Sequence, residues 1–323
     1  MVDVAGAIDP QGESLLSPRA LVIINPIAGR GCSPAGVQRR IEWVQAALAV
    51  HGLDPHVHVT TGPGDAARQA ERAAASGYGL VIAWGGDGTI NDAARALVHS
   101  RTVLGIVPAG SGNGLAAELG IPFDAQGAID VASCGAIRTI DAGQVESEFF
   151  FNIAGVGLDA IVAARFAARG VRRRGAVAYF GITASELLRR RCDRYALTID
   201  GDRLEGEVLL VAIANGRQYG NRVLIAPGAR LDDGLLEIVV VGRLTVAEIL
   251  RRLPSVFRGR LRAGPGVMMR AARSLLIEAD RPIPFHVDGE PRTGARALRV
   301  AVHAGALRVR VPLAPRDGSL RRA

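Results

Sequence analysis

At 323 residues, with 49% hydrophobic and 22% charged positions, the chain has a globular composition and is too long for one ordinary core, so two domains are expected. The 39 basic residues outnumber the 31 acidic ones by 8, and every one of the 39 is arginine. Without lysine there is no Walker A lysine, no protein-kinase strand lysine and no Schiff base. Aromatic residues, at 4%, are too sparse for a base-stacking platform. Cys32, Cys134 and Cys192 are widely spaced, which suits neither a disulfide framework nor a zinc site and fits a reducing cytoplasm.

Residues 1–18 lack a basic n-region and an apolar h-region, and are expected to form a flexible polar tail. LVIIN (residues 21–25) reads as a strand, and residues 34–50 as a helix with Ile41, Val44 and Leu48 at helical spacing. HVHVT (56–60) is a second strand, whose His56 and His58 are surface or half-buried positions and not metal ligands. After the turn TGPGD come a helix over 65–76, a strand at LVIAW (80–84), a helix over 91–98 and a strand at VLGIV (103–107). This alternation predicts a doubly wound, Rossmann-like α/β domain over 19–138. From 139 to 312 strand-like segments dominate, among them FFFNIA, YALTID, GEVLLVAIAN, LLEIVVV, SLLIEA, PFHVDG, LRVAVHA and LRVRV, with helices near 159–169 and 246–257. They predict a mainly antiparallel β-sandwich domain, followed by a C-terminal tail at 313–323. No apolar run approaches the roughly 18 residues of a membrane span.

Three strand ends of the first domain carry glycine-rich turns: NPIAGRG (25–31), GGDGTIN (85–91) and PAGSGNG (108–114). Glycines let backbone amides approach a phosphate, and the helix behind each turn presents its positive end. One such turn is ordinary; three on one sheet edge point to an anion site. A carboxylate there, Asp87, points to a phosphate that arrives with a metal ion.

Together these turns resemble the diacylglycerol kinase catalytic domain, the superfamily of bacterial diacylglycerol, sphingosine and ceramide kinases. The likeness continues through FNIAGVGLDA (151–160), IANGRQYG (213–220), APGARLDDGLLEIVVV (226–241) and HVDGEP (286–291), seven motifs in the family's order across residues 21–311. GGDGT alone is shared with NAD kinases and phosphofructokinases. The resemblance implies an ATP site made by Asn25, Thr60, Gly85, Gly86, Asp87, Gly88, Thr89, Ile90, Asn91 and Ser111, with Asp87 organising Mg²⁺–ATP. Thr89 and Asn91 are expected at a helix start, where they cap it or face phosphate. It also implies Asp288 as general base with Glu290 close by, and a second Mg²⁺ on the Asp233 carboxylate and the main-chain oxygens of Arg230 and Leu235. Phosphoryl transfer needs such parts: positioning, a bridging cation and a carboxylate to take the hydroxyl proton. Read without the family, "DG" at 288–289 is an ordinary hairpin dipeptide, and DDG at 232–234 meets the same objection.

Some positions depart from the family pattern. Asp92 stands where glutamate is usual, and Ala28 where serine is common. The third motif reads GSGNGLA, nearer to sphingosine- and ceramide-kinase-like members, which leaves the acceptor open. The implied reaction is transfer of the γ-phosphate of ATP to the hydroxyl of diacylglycerol or a sphingoid-type alcohol. A NAD-kinase-type nucleotide kinase and a non-catalytic lipid- or nucleotide-binding regulator stay open as alternatives. Arginines at 172–174, at 189–191, and Arg251, Arg252, Arg258, Arg260 and Arg262 suggest attraction to an anionic membrane surface, with LPSVFRGRLRAG (253–264) as an interfacial element. For any one cluster a solvated face is the ordinary reading. The expected setting is a cytoplasmic protein peripheral to the membrane that does not bind nucleic acid. A homodimer, common among bacterial relatives, is open.

Overall fold

The computed structural model describes residues 17–29, 33–168, 185–186, 192–218 and 223–313. They form two compact units: the first takes the residues up to 110, Leu119–Thr139 and those from Leu307 onward, and the second takes Ser111–Glu118 and Ile140–Ala306.

The first unit is built on strands β1 (Arg19–Ile24), β2 (Asp54–Val59), β3 (Leu80–Gly85) and β4 (Val103–Pro108). Their spatial order is β2-β1-β3-β4, all parallel. β3 and β4 are buried at every residue, as parallel strands covered by helices on both faces must be. Helices α1 (Pro34–Val50), α2 (Asp65–Ala75) and α3 (Asp87–Leu97) connect them. α1 starts where its sequence dictates: the Ser33 side chain accepts the Gly36 amide hydrogen and Pro34 supplies a preset φ at the first position. Two further helices follow, α4 (Gly114–Glu118), which belongs to the second unit, and α5 (Ala125–Cys134), capped by Asp124 and seated in the first. Periodicity does not reveal α5, because its buried face is carried mainly by Ala128 and Ala132 beside one large side chain, Ile129. Between β1 and β3 the strand order reverses, and open α/β sheets bind ligands at such a switch point.

α3 begins at Asp87, four residues before the helix expected over 91–98. The glycine-rich signature hides this start: Gly86 is the N-cap in extended backbone, and Gly88 is already helical.

β5 (Ala136–Val145) starts in the first unit and enters the second at Ile140; the second unit also contains β6 (Glu148–Phe150), β7 (Ile153–Gly157), α6 (Leu158–Ala168), β8 (Asp193–Ile199), β9 (Asp202–Ala214), β10 (Leu236–Gly242), α7 (Val246–Phe257), β11 (Val267–Ala272), β12 (Ser274–Glu278), β13 (Pro284–Val287) and β14 (Glu290–Thr293). β15 (Ala297–Val311) is one strand where two were expected, and its last residues return to the first unit, where Val309 pairs in parallel with Leu104. The pairings within the second unit are antiparallel, with β9 as the spine. Alternation along β9 sends Val211 and Ile213 into one apolar core, with Phe150, Leu197, Phe285 and Leu298. Ala212 and Ala214 face the other core, with Leu158 and Val162 of α6. The result is a mainly antiparallel, sandwich-like domain after a parallel α/β domain. Among the described residues no helix is long and apolar enough to cross a membrane. The arginines at 172–174 and 189–191 lie outside the described residues, as do Gly31, Cys32 and Gly220.

Candidate active site

In the first unit the turns after β1, β3 and β4 meet. Asn25 donates its main-chain hydrogen to the Trp84 carbonyl (2.9 Å), and its side-chain amide donates to the Thr89 hydroxyl (2.9 Å). Its own Oδ1 accepts the Ile27 amide hydrogen (3.1 Å), which folds the first loop back on itself. Gly85 has no room for a side chain, since a Cβ there would lie 2.6 Å from Thr89 Cβ. A Cβ on Gly86 would lie 3.3 Å from Gly110 Cα, so the third turn closes on the second. The Thr60 amide donates to the Ile24 carbonyl (2.9 Å), which places it at the same sheet edge.

Thr89 and Asn91 are buried within α3 and do not cap it, a correction to the expected capping role. The cap position is Gly86, which carries no side chain and so makes no side-chain cap to the first-turn amides of α3. Such an end favours an anion. Asp87 stands in that first turn and Asp92 lies 3.9 Å from Arg95. Ser111 falls in the second unit, exposed, ahead of α4.

One residue of this edge escapes sequence reading: Asp65, at the start of α2. Its buried carboxylate meets His58 Nε2 (2.9 Å) and accepts from the Thr61 amide (3.0 Å) and Arg68 (3.1 Å). The His58 contact, followed by the Thr61 amide, holds its pKa far below the usual carboxylate range. Asp65 thereby fixes the turn that carries Thr60.

In the second unit Asp288 and Gly289 form the two-residue turn between β13 and β14, with φ of +48° and +83°, and Val287 pairs with Glu290 across it. The hairpin reading of "DG" therefore holds as geometry. The Asp288 carboxylate reaches back to the break between β6 and β7. One oxygen accepts the Phe151 amide hydrogen (2.9 Å), and the other accepts those of Asn152 (2.9 Å) and Ile153 (3.0 Å). Glu290 lies nearby but is paired with Arg292 (2.9 Å), which also approaches Glu148 (3.4 Å).

The third carboxylate group belongs to the loop before β10. Asp233 is exposed and accepts the Leu235 amide hydrogen (3.1 Å), while Arg230 lies 3.5 Å from Asp232. Burial and the charge of Asp233 push the Glu237 carboxyl up. One carboxylate with main-chain oxygens of Arg230 and Leu235 fits an oxygen-loving, mostly hydrated divalent cation. Asp141 braces this loop: buried, it accepts the Gly234 and Gly305 amide hydrogens, each at 2.7 Å. Nothing in the sequence around Asp141 distinguishes it from a surface residue of a strand.

A glycine-rich turn cluster at a sheet switch point, joined in the chain to an antiparallel sandwich, is the arrangement that known proteins share with this chain. The diacylglycerol kinase catalytic domain matches residues 19–145, and the YegS C-terminal NAD kinase beta sandwich-like domain matches residues 152–311. A Pseudomonas aeruginosa protein described as "Probable lipid kinase YegS-like" is 35% identical over 86% of this chain and 92% of its own length. A "Diacylglycerol kinase" of Bacillus subtilis is 30% identical over 84% of this chain and 89% of its own. The crystal structure of a diacylglycerol kinase from Bacillus anthracis superposes with a TM-score of 0.71 at 20% identity, covering 91% of this chain and 97% of that one. The chain belongs to the diacylglycerol kinase-like family of lipid kinases. Membership implies ATP use and a lipid substrate.

Proposed function

We propose that the chain transfers the γ-phosphate of ATP to the hydroxyl of a lipid such as diacylglycerol or a sphingoid-type alcohol. The observation that carries this reading is the convergence of three glycine-rich turns on the start of α3, whose cap position is a glycine. Residues 85–91, Asn25 and Thr60 hold the phosphates, with Ser111 as a further hydroxyl donor. Asp87 orients the Mg²⁺ that accompanies ATP, and that ion draws charge from the phosphate oxygens when bound. Asp233, with main-chain oxygens of Arg230 and Leu235, holds a second Mg²⁺ that stiffens its loop.

Asp288 takes the acceptor proton in this reading. Its three amide bonds fix the direction of the carboxylate. The same three bonds favour a second reading, in which Asp288 is a structural anchor and Asp87 is the base. The exposed apolar pair Leu253 and Phe257, one turn apart on α7, with exposed Arg251, Arg258, Arg260 and Arg262 around it, supports contact with an anionic membrane surface.

The test is phosphate transfer from [γ-³²P]ATP with Mg²⁺ into a panel of lipids in mixed micelles, with NAD as a control acceptor. A labelled lipid, lost in Asp87→Asn and Asp288→Ala, is expected. Label on NAD alone would favour a nucleotide kinase, and ATP or lipid binding with no transfer would favour a regulator.

A further inference from the structure

Beneath the Asp288–Gly289 turn lies a buried pair to which the scheme above assigns no task. His286 on β13 and Asp159 in the first turn of α6 are 2% and 7% exposed, and His286 Nε2 lies 2.7 Å from Asp159 Oδ2. On the opposite side of the ring, the Gly289 amide donates to Nδ1 (3.2 Å). A ring nitrogen that accepts a hydrogen carries no proton of its own, so the neutral ring keeps its proton on Nε2, facing the carboxylate. The strand beside it leaves space for this pair. A Cβ on Gly155 of β7 would lie 2.2 Å from Asp159 Oδ2 and 3.0 Å from His286 Nε2. A histidine that only fills a core would not need both nitrogens aimed, one at a carboxylate and one at the turn that carries Asp288.

We propose that His286 is a positioning residue: Asp159 fixes its tautomer, and its Nδ1 holds the Gly289 amide and so sets the direction of the Asp288 carboxylate. A proton taken up on Nδ1 replaces the acceptor with a second donor, facing the Gly289 N–H, and the turn loses this hold. The charged groups that face the ring are Asp159 from α6 and Asp288 from the turn. The residues paired with it on β7 and β14 are Gly155 and Pro291, which do not titrate. The charged side chains Glu148 on β6 and Glu290 on β14 pair with Arg292. Burial favours the neutral ring, but the charge and hydrogen bond of Asp159, joined by the charge of Asp288, outweigh it and raise the pKa above the ordinary value. Turnover is therefore predicted to fall on acidification with a midpoint above about 6.5.

This rests on the kinase reading, so the experiment has an arm independent of turnover. His286→Gln keeps an acceptor for Gly289 and a donor for Asp159 but cannot gain a proton; His286→Leu keeps neither. At saturating ATP and lipid, His286→Gln is expected to stay within about threefold of wild-type kcat at pH 8 and to lose the acid limb. His286→Leu is expected to lose about tenfold or more in kcat, with KM for ATP within about twofold. In parallel, ring ¹⁵N spectra of the wild type, assigned by difference from His286→Gln, are expected to show the Nε2–H tautomer at pH 8. An acid limb unchanged in His286→Gln, full kcat in His286→Leu, or an Nδ1–H tautomer would each overturn the proposal. A wild type that labels no lipid yet shows the Nε2–H tautomer would instead sink the kinase reading and support the turn geometry. Should His286→Leu fail to fold, the glutamine variant and the spectra decide.

Discussion

The two units differ at the turns that carry their candidate site residues. In the second unit the turn amides already have anions from the chain: Asp288 takes those of residues 151–153, Asp141 those of Gly234 and Gly305, and Asp200 those of Arg273 and Ser274. In the first unit the start of α3 has a glycine at its cap, which brings no side chain to the helix start. Internal carboxylates make a loop rigid and self-sufficient, whereas a helix start without one is suited to an anion brought from outside. The contrast is between turns held by the chain's own carboxylates and a helix start capped by glycine.

The largest expected effect comes from emptying the carboxylate that accepts three main-chain amides. Asp288→Ala should leave three amides without their acceptor, cost roughly 3–5 kcal/mol in urea unfolding and lower activity by at least about 10³-fold. Asp288→Asn sharpens the comparison, because its one oxygen still serves Asn152 and Ile153. Activity that returns together with stability would mark Asp288 as an anchor; stability without activity would mark it as the base. Asp141→Ala should cost about 2–4 kcal/mol through its two amides. Asp87→Asn keeps the size and hydrogen-bonding capacity of the side chain and removes its charge, so it should do the reverse, with activity down about 10²-fold and the melting temperature within about 2 °C of wild type.

Asp65, like the α5 cap Asp124, is an internal carboxylate in the first unit. Its pKa is depressed in the folded protein, so its contribution is present above the unfolded value and lost as pH falls below it. Stability of the wild type should decline from about pH 5 downward. Asp65→Asn should be less stable at neutral pH and show a shallower decline, as read by urea titration across pH. The smallest effect concerns the surface: replacing Leu253 and Phe257 by serine should weaken sedimentation with phosphatidylglycerol vesicles about tenfold without changing the melting temperature.

The elements with large apolar side chains at a clear period were legible in the sequence. α1 and α7 begin and end where the spacing and the caps of Ser33 and Thr245 put them. The start of α3 was not, because glycines at 85, 86 and 88 look like loop while the backbone is already helical at Asp87. α5 was hidden by its alanines, and β11 by the mixed run VMMRAA. Motif order brought Asn25 and residues 85–91 to notice, and the structure gathers them at one edge. Asp65, Asp141 and the His286–Asp159 pair were beyond reach, because their partners are main-chain amides or side chains distant in sequence. A carboxylate that serves an amide 164 residues away, as Asp141 serves Gly305, leaves no local pattern.

The division between filled and waiting amides is read most directly by hydrogen exchange along the chain with and without Mg²⁺–ATP. The account predicts slow exchange at Phe151, Asn152 and Ile153 in both states, and exchange at residues 86–89 that slows on adding nucleotide. Fast exchange at 151–153, or no change at 86–89 under saturating nucleotide, would contradict it.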